Sequence, residues 1–457
     1  MKRKRICRNL VGIFVILAVT YGGFVLAAVS PEEAAQLGKT LTLFGAEKAG
    51  NKEGTIPEYT GGLTTPPSNF KPGSGVRPDP FPDERPLFSI NAQNMGQYAD
   101  KLTDGTKVMM KKYPTFRIDV YKTRRTVAYP DFVLKATAKN AVKATTANGG
   151  LSVRDARAGV PFPIPKDGYE IMWNHFTSFR GRAADERLRC YVMDTSGRLI
   201  LTMDYNTWQE FPYYDENPPS IDAGVYFKGR GFFNAPPRQA GQNIMYIQWL
   251  DTYTKGSTTT YQYLPGQRRV KLAPDCAFDT PAVTTAGAAI YDEYFGYSGS
   301  MERYDMKLIG KKEFYVIYNA YKALFMVKPE EVFKPNHWNP DLVRWELHRV
   351  WVVEATLKQG KRHIYPKRRF YLDEDSWAMV SCENYDAHGD IIKANFNFHV
   401  PFYDIPAAYQ WYYIGYNMVS GIYHVDNWYG DIGWSRPVKP HPLSEYTPAA
   451  MVGEGVR

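Results

Sequence analysis

The stretch Arg344-Trp345-Glu346-Leu347-His348-Arg349-Val350-Trp351-Val352-Val353-Glu354-Ala355-Thr356-Leu357-Lys358 decides the fold class. One parity reads Trp345, Leu347, Arg349, Trp351, Val353, Ala355 and Leu357; the other reads Arg344, Glu346, His348, Val350, Val352, Glu354 and Thr356. Successive side chains of a strand point to opposite faces, so this alternation describes a half-buried strand. The next strand carries Ile364, Pro366, Arg368, Phe370 and Leu372 on one parity. A two-residue turn at Gln359-Gly360 would set residue 351 opposite 368 and 349 opposite 370, with both apolar parities on one side. A further hairpin is expected through Asp373-Glu374-Asp375-Ser376. After Asp386-Ala387-His388-Gly389-Asp390, a last strand places Ile392, Ala394, Phe396, Phe398, Val400 and Phe402 on one face. Four successive strands are thus expected to share an inward apolar wall.

Working outward, Leu188 to Met193 and Leu199 to Tyr205 flank the turn Asp194-Thr195-Ser196-Gly197, and Asn243 to Thr254 and Thr258 to Leu264 flank Lys255-Gly256. Both read as hairpins of a meandering antiparallel sheet, with helices supplied mainly from outside it. Helical pattern covers Ala92 to Leu102, Asp104 to Lys112 and Asp167 to Phe179. Ser30-Pro31-Glu32-Glu33 is a capping box that predicts a short helix through Leu37, ending at Gly38. From Gly45 to Pro86 glycine and proline are too dense for a helix or a central strand. This arm is expected to lie extended over the domain, a floppy tail being the alternative. The boundaries follow: a leader over 1–27, an N-terminal helix, arm and helices over 28–160, a curved sheet over 161–406, and an aromatic-rich C-terminal segment of the same domain over 407–457.

The leader is read from the basic Lys2, Arg3, Lys4, Arg5 and Arg8, an uncharged run from Leu10 to Ala27, and the small residues Ala27-Ala28. That is the pattern of a cleavable signal peptide, with an uncleaved anchor as the alternative. The charge balance changes with it. Of 56 basic residues against 47 acidic, five leave with the leader, so +9 becomes +4. No basic stripe then stands out, and nucleic acid is a poor partner. Cys190, Cys276 and Cys382 remain, compatible with one disulfide plus a thiol or with three reduced thiols. Their spacing is wrong for zinc.

Enzyme signatures are scarce: there is no Gly-x-Ser-x-Gly elbow, no His-Glu-x-x-His and no phosphate-binding Gly-Lys-Ser/Thr loop. No catalytic residue, cofactor or metal is therefore assigned. Asp373-Glu374-Asp375 reads as an acidic hairpin turn rather than a calcium loop, which needs spaced ligands and a glycine. Trp173-Asn174-His175 and Asn336-His337-Trp338-Asn339 read as structural polar-aromatic clusters.

With 34 Tyr, 24 Phe and 10 Trp, aromatics make up 15% of the chain, enough to line an apolar site as well as to fill a core. The candidate wall is Trp345, Leu347, Trp351, Val353, Phe370, Phe396 and Phe398, with Trp173. Arg349 and Arg368 break the apolar parity, and two like charges facing a dry core would be costly without partners. They are candidates, with His175, for the mouth of a cavity and the head group of an amphiphile. The alternative is a bulge that turns them to solvent, or pairing with acids such as Asp341 or Glu383.

Several further stretches resemble a known family. They are Ala34-Ala35-Gln36-Leu37-Gly38-Lys39-Thr40-Leu41-Thr42, Gly45-Ala46-Glu47-Lys48-Ala49-Gly50-Asn51, Thr60-Gly61-Gly62-Leu63 and Pro161-Phe162-Pro163-Ile164-Pro165. Trp173-Asn174-His175, Tyr263-Leu264-Pro265-Gly266-Gln267-Arg268-Arg269-Val270, Asn339-Pro340-Asp341-Leu342-Val343-Arg344 and the Glu346 to Leu357 run continue it. Together they resemble the proteobacterial envelope proteins grouped as domain of unknown function 1329, over nearly the whole mature chain. That resemblance implies a fold similar to the lipoprotein carriers LolA and LolB: a curved, incompletely closed antiparallel β-barrel plugged by helices around an apolar cavity. It also implies proximity to outer-membrane proteins and efflux-type transporters.

The expected fold is thus mainly β with accessory helices (α+β) and an extended Pro/Gly-rich N-terminal arm. The expected function is a periplasmic carrier for a lipid, acyl chain or other hydrophobic molecule. A structural or assembly subunit of an outer-membrane or efflux-type complex is the alternative, and an enzyme on a hydrophobic substrate the third reading. Intact mass of the exported chain should show a mature N-terminus at Ala28 or Val29; an unprocessed mass would establish the anchor instead.

Overall fold

The computed structural model describes residues 29–409 and 412–454. The expected leader lies outside the described residues. Sixteen strands form one sheet among the described residues. In chain order they begin with β1 Phe88–Asn91, β2 Arg117–Val120, β3 Ala183–Met193, β4 Leu199–Glu210, β5 Val225–Ala235, β6 Asn243–Trp249, β7 Thr258–Leu264 and β8 Arg269–Leu272. They continue with β9 Tyr304–Ile317, β10 Arg344–Leu357, β11 Lys367–Asp373, β12 Met379–Tyr385, β13 Ile391–Asn397, β14 Tyr413–Asn417, β15 Tyr423–Trp428 and β16 Trp434–Pro437. The spatial order is β1-β2-β10-β11-β12-β13-β14-β15-β3-β4-β5-β6-β7-β8, with β9 on β10 and β16 on β3. The sheet is antiparallel except where Arg344 and Trp345 run parallel to β2. Bulges in β4, β9 and β15 bend it, and its terminal strands β1 and β8 do not pair, so the curve stays open. Both strand pairs expected upstream are present, as β3–β4 and β6–β7, although β6 ends at Trp249 and Thr252–Lys255, expected as strand, is a helical turn.

Two details of the decisive stretch differ from expectation. The β10–β11 register sets Trp351 opposite Leu372, Val353 opposite Phe370 and Ala355 opposite Arg368. The connection is longer than two residues, running from 358 to 366, and includes Pro366, which has no N–H to give a ladder. The displacement is even, so the parity survives. The shared apolar wall does not. Val353, Phe370, Cys382 and Asn395 lie on one face, and Val352, Tyr371, Ser381 and Phe396 on the other. The apolar parity of β13 therefore turns away from that of β10 and β11. The cause is that both faces are covered, so apolarity does not mark one inside.

On the Phe396 face sits α2 (Asp104–Lys112), capped by Thr103 and packed on β13 through Gly105, with Met109 and Met110 buried. On the other face lies α4 (Gly168–Phe176), capped by Asp167 and packed on β9 and β10. The expected helix over 92–102 is a 3-10 stretch, Met95–Lys101, broken at Tyr98. A further helix, α3 (Asp131–Ala141), was not read from the sequence; its stripe of Val133, Ala136, Thr137 and Asn140 mixes apolar with polar residues.

The Ser30 capping box is formed in both directions, on a helix α1 that spans only Pro31–Ala34. The arm that follows is docked on the domain at several points, with exposed stretches between them. Trp377 donates to the Phe44 carbonyl (2.9 Å), and Tyr59 donates to Val127 (2.9 Å). Arg77, fully buried, donates two hydrogen bonds to Asp404 (2.6 and 2.9 Å) with its guanidinium 3.5 Å from the centre of the Phe402 ring. Gly45 is obligatory here: its φ is +98°, and a Cβ would fall 1.9 Å from the Pro163 carbonyl oxygen. Gly45→Ala should cost at least about 1–2 kcal/mol from backbone strain alone. It should also speed proteolysis within residues 45–86; an unchanged Tm and cleavage pattern would show that the arm is not held this way.

Candidate functional site

Between β8 and β9 the chain crosses the face of the sheet that carries Asn395 and Lys393 and forms a roof over it. The roof is irregular: 3-10 turns at Val283–Thr285 and Tyr291–Gly296, and left-handed backbone at Phe278, Ala286 and Phe295. Long segments without regular structure inside a compact domain are commonly functional. Its fixed end rests on buried charge. Glu293 accepts from Lys393 Nζ (2.6 Å) and from Tyr365 (2.9 Å), while Asp292 meets Arg368 (2.9 Å) and His363 (3.0 Å). Lys393 also donates to the Ala288 carbonyl (2.8 Å). Burial alone would raise both carboxyls, yet Arg368 and His363 hold Asp292, and Lys393 holds Glu293, below the usual carboxylate range.

Where the roof passes over β4 to β7 it leaves a cavity of about 110 Å³. Phe227, Phe233, Ile244 and Tyr246 line it from the strands, and Phe278, Val283, Tyr294 and Phe295 from the roof. Cys276, Asp292 and Gln209 add polar positions. Gly231 of β5 is part of the lining, and Gly229 two residues before it gives room to the Tyr246 side chain that walls the cavity. A Cβ on Gly229 would stand 2.6 Å from the Tyr246 oxygen, and one on Gly231 would stand 3.1 Å from Ile244. The volume approaches that of apolar cavities known to admit benzene.

His175 joins three elements at this site. On α4, its Nε2 donates to the Tyr297 carbonyl of the roof (3.0 Å), and its Nδ1 accepts from the Met379 N–H of β12 (3.3 Å). That pair of bonds requires the neutral ring. Burial, and secondarily Arg180, push its pKa down to about 3.

The other candidates of the sequence lie elsewhere. Trp173, Trp345, Leu347, Val353, Phe370, Phe396 and Phe398 are packed in the core, and none lines the cavity. Trp345 contacts Trp338 and Phe396; Trp173 donates to the Gly150 carbonyl. Trp351 is half-buried, stacked on Trp377 with the Lys311 ammonium over its ring. Arg349 and Arg368 do not meet. Arg349 bonds to Glu374 (3.3 Å) and the Ala49 carbonyl (3.0 Å), while Arg368 belongs to the roof through Asp292. Both pair with acids, though with neither Asp341 nor Glu383. His337 bonds to Thr115 and the Trp338 carbonyl. Cys190, Cys276 and Cys382 are free thiols.

The residues that form the cavity were not singled out from the sequence. Their one local signal is the pattern Phe227-Lys228-Gly229-Arg230-Gly231-Phe232-Phe233, in which glycines share a strand face with aromatics. The roof left none, because its register against the sheet is set by ion pairs between residues about a hundred positions apart.

Comparison with known proteins gives the following. A family model described as "Protein of unknown function (DUF1329)" matches residues 89–452. The uncharacterized protein PA3922 of Pseudomonas aeruginosa is 40% identical over 446 residues, 95% of each chain. Among solved structures, a DUF1329 family protein from Desulfovibrio piger is similar with a TM-score of 0.40 and 11% identity, over 60% of this chain and 92% of its own. The LolA superfamily protein NE2245 from Nitrosomonas europaea gives a TM-score of 0.38 and 10% identity, over 63% of this chain and 100% of its own.

The neutral state of His175 has a consequence for acid stability. Its folded pKa lies below the ordinary value, so its contribution is complete above pH about 6.5 and is lost as pH falls toward about 3, at about 1.4 kcal/mol per unit. His337 and His424, also depressed, act in the same direction. Glu170, raised to about 7 chiefly by burial, acts the other way and gains stability as pH falls. The Tm difference between wild type and His175→Gln should therefore narrow as pH falls from 7 to 4. A constant difference would mean that the ring does not titrate with unfolding.

Proposed function

We propose, from the premise that this chain belongs to the DUF1329 family, that it is a periplasmic binding or carrier protein for an acyl chain, a lipid or a comparably hydrophobic molecule. The observation that carries this reading is the apolar cavity between strands β4 to β7 and an irregular roof. An apolar chain crosses an aqueous gap efficiently only when its surface is covered, at about 25 cal/mol for each Å² hidden. At about 110 Å³ the cavity holds a short apolar segment in this conformation, and a longer one requires the roof aromatics to move aside. The roof is suited to that. Asp292 and Glu293 fix one end on buried cations, whereas Phe278, Val283 and Tyr294 cover the cavity with side chains on irregular backbone.

In this reading the protein is non-catalytic, needs no cofactor, and works in the envelope after removal of its leader. It surrenders its cargo by docking to a partner there, an outer-membrane protein or efflux-type transporter. His175, which ties the roof to α4 and β12, is a hinge support rather than a ligand contact.

The test is native mass spectrometry of the mature protein from periplasm, with organic extraction of what is bound, followed by titration with a fluorescent fatty acid. A stoichiometric hydrophobe, or saturable uptake, is the expected result. Ile244→Trp fills the cavity and should weaken uptake at least about ten-fold. Occupancy should also slow maleimide labelling of Cys276, which lines the cavity. A clean mass with no uptake sinks the carrier reading and favours an assembly subunit whose cavity is filled by its own side chains.

A further inference from the structure

A second cluster, remote from the roof, is built around Asp373 at the end of β11. Its two carboxylate oxygens are treated very differently. Oδ2 accepts from Tyr318 (3.1 Å), from the Ser376 N–H (2.9 Å) and from the Ser376 hydroxyl (2.7 Å). Oδ1 is buried and has no hydrogen-bond partner. What faces it is His348 Nδ1, at 3.8 Å.

The tautomer of His348 follows from its other nitrogen. Nε2 lies 3.1 Å from Glu346 Oε2. Glu346 is itself an acceptor held by Arg344 (2.5 Å), Asn319 (2.9 Å) and the Arg124 N–H (2.7 Å). Nε2 therefore carries the proton, and Nδ1 turns a lone pair toward a carboxylate oxygen that has no donor. Two lone pairs facing each other in a dry interior repel unless a positive charge stands between them. At 3.8 Å the gap is too wide for a shared proton. It suits two ligands of one cation, each roughly 2.0–2.2 Å from the ion.

A third donor is in place. A ligand atom of Asp375 lies within 4.8 Å of those of His348 and Asp373, and all three residues are buried. Asp375 also accepts from Arg125 Nε (2.9 Å) and Nη2 (2.6 Å), which fixes its carboxylate. Charge counting agrees. Glu374, Asp375, Glu346 and Glu47 are each paired with a cation among Lys311, Arg349, Arg125 and Arg344. Among the described residues Asp373 has no Lys or Arg within ion-pair distance, only the histidines. A separate observation points to the same place. His399 is fully buried with neither ring nitrogen hydrogen-bonded, and its Nε2 stands 4.0 Å from Asp373 Oδ2. Tyr318 is stacked between the two imidazoles, at 3.7 and 4.1 Å.

We propose that His348 Nδ1, Asp373 Oδ1 and the Asp375 carboxylate bind one divalent transition-metal ion, Zn²⁺ foremost, with Glu346 orienting the imidazole from behind. An imidazole with two carboxylates selects such an ion over Ca²⁺, which takes six to eight oxygens, and a carboxylate on the far nitrogen is the usual support of a metal-bound histidine. The ligands come from β10 and from the β11–β12 turn, on which the N-terminal arm also docks through Glu47 and Phe44. The ion joins these elements, and because its ligands are buried it is taken up as the chain folds.

The full mature chain, purified without a histidine tag, would be unfolded in chelator and refolded with or without Zn²⁺, then desalted for metal analysis. One Zn²⁺ per chain and a higher Tm for the metal-refolded protein are expected. Refolding with Co²⁺ should give the visible d–d bands of a low-coordinate site. His348→Ala and Asp373→Asn should each retain less than a tenth of the metal, while His337→Ala, at a histidine outside the cluster, retains all of it. Wild-type protein that refolds metal-free with an unchanged Tm and no Co²⁺ spectrum overturns the proposal. So does a folded Asp373→Asn that keeps full occupancy. Should the variants fail to fold, the wild-type metal content and Co²⁺ spectrum decide alone.

Discussion

The contact between Glu293 and Lys393, 2.6 Å long and shut away from water, sets the terms for the rest of the molecule. Two charges in a low-dielectric interior are tolerable only when each satisfies the other, and breaking one partner leaves a cost of several kcal/mol. With Asp292 on Arg368 beside it, this pair fixes where an irregular crossing segment lies on a sixteen-stranded sheet. A segment so anchored needs no regular structure of its own. It can carry aromatics at whatever angle the sheet beneath requires, and it can leave space beneath part of its length. The polar stripe Lys393, Asn395 and Asn397 is the sheet's side of that arrangement: buried polar positions facing an irregular backbone rather than a second layer of apolar side chains.

Much of the architecture was legible because strands advertise themselves by period two. Most of the strands expected over 188–205, 243–264 and 344–385 are present, though Thr252–Lys255 is a helical turn and the strand expected from Ile364 begins at Lys367, and the Ser30 box and the Asp167 cap mark real helix starts. Which face was inside was not legible. Alternation reports burial of one side only when the other meets water, and here α2 covers one face of β13 while the roof covers the other. Ala394 and Phe396 read as lining for that reason, although Ala394 packs on Gly105 of α2 and Phe396 on Trp338 and Tyr416. The two arginines posed the reverse problem: their parity was right, but Glu374 comes beside Arg349 only in the longer-loop register of β10 and β11, and Asp292 comes to Arg368 from the roof.

The candidate cavity was missed for a related reason. A lining position such as Gly231 has no side chain to mark it, and the rest of the lining comes from segments far apart in the chain. The aromatics around it are no more numerous than those packed solid elsewhere, at Trp338, Trp345 and Phe396 for example. The difference lies in backbone. Where strands pack on a capped helix the core fills, and where they meet an irregular crossing segment it does not.

The arm has a bearing on how the molecule comes into being. Arg77 finds its carboxylate on Asp404, and Glu47 its N–H acceptor on Glu374, each 327 positions further along. A chain delivered from its amino end emits this arm early, long before the surface it docks on exists. For most of that interval residues 45–86, poor in helix and strand propensity, have nothing to pair with and little tendency to pair wrongly. The density of proline and glycine is then a form of patience: it keeps an early-made segment uncommitted until the last strands arrive, and the arm closes over the finished sheet as a final clasp.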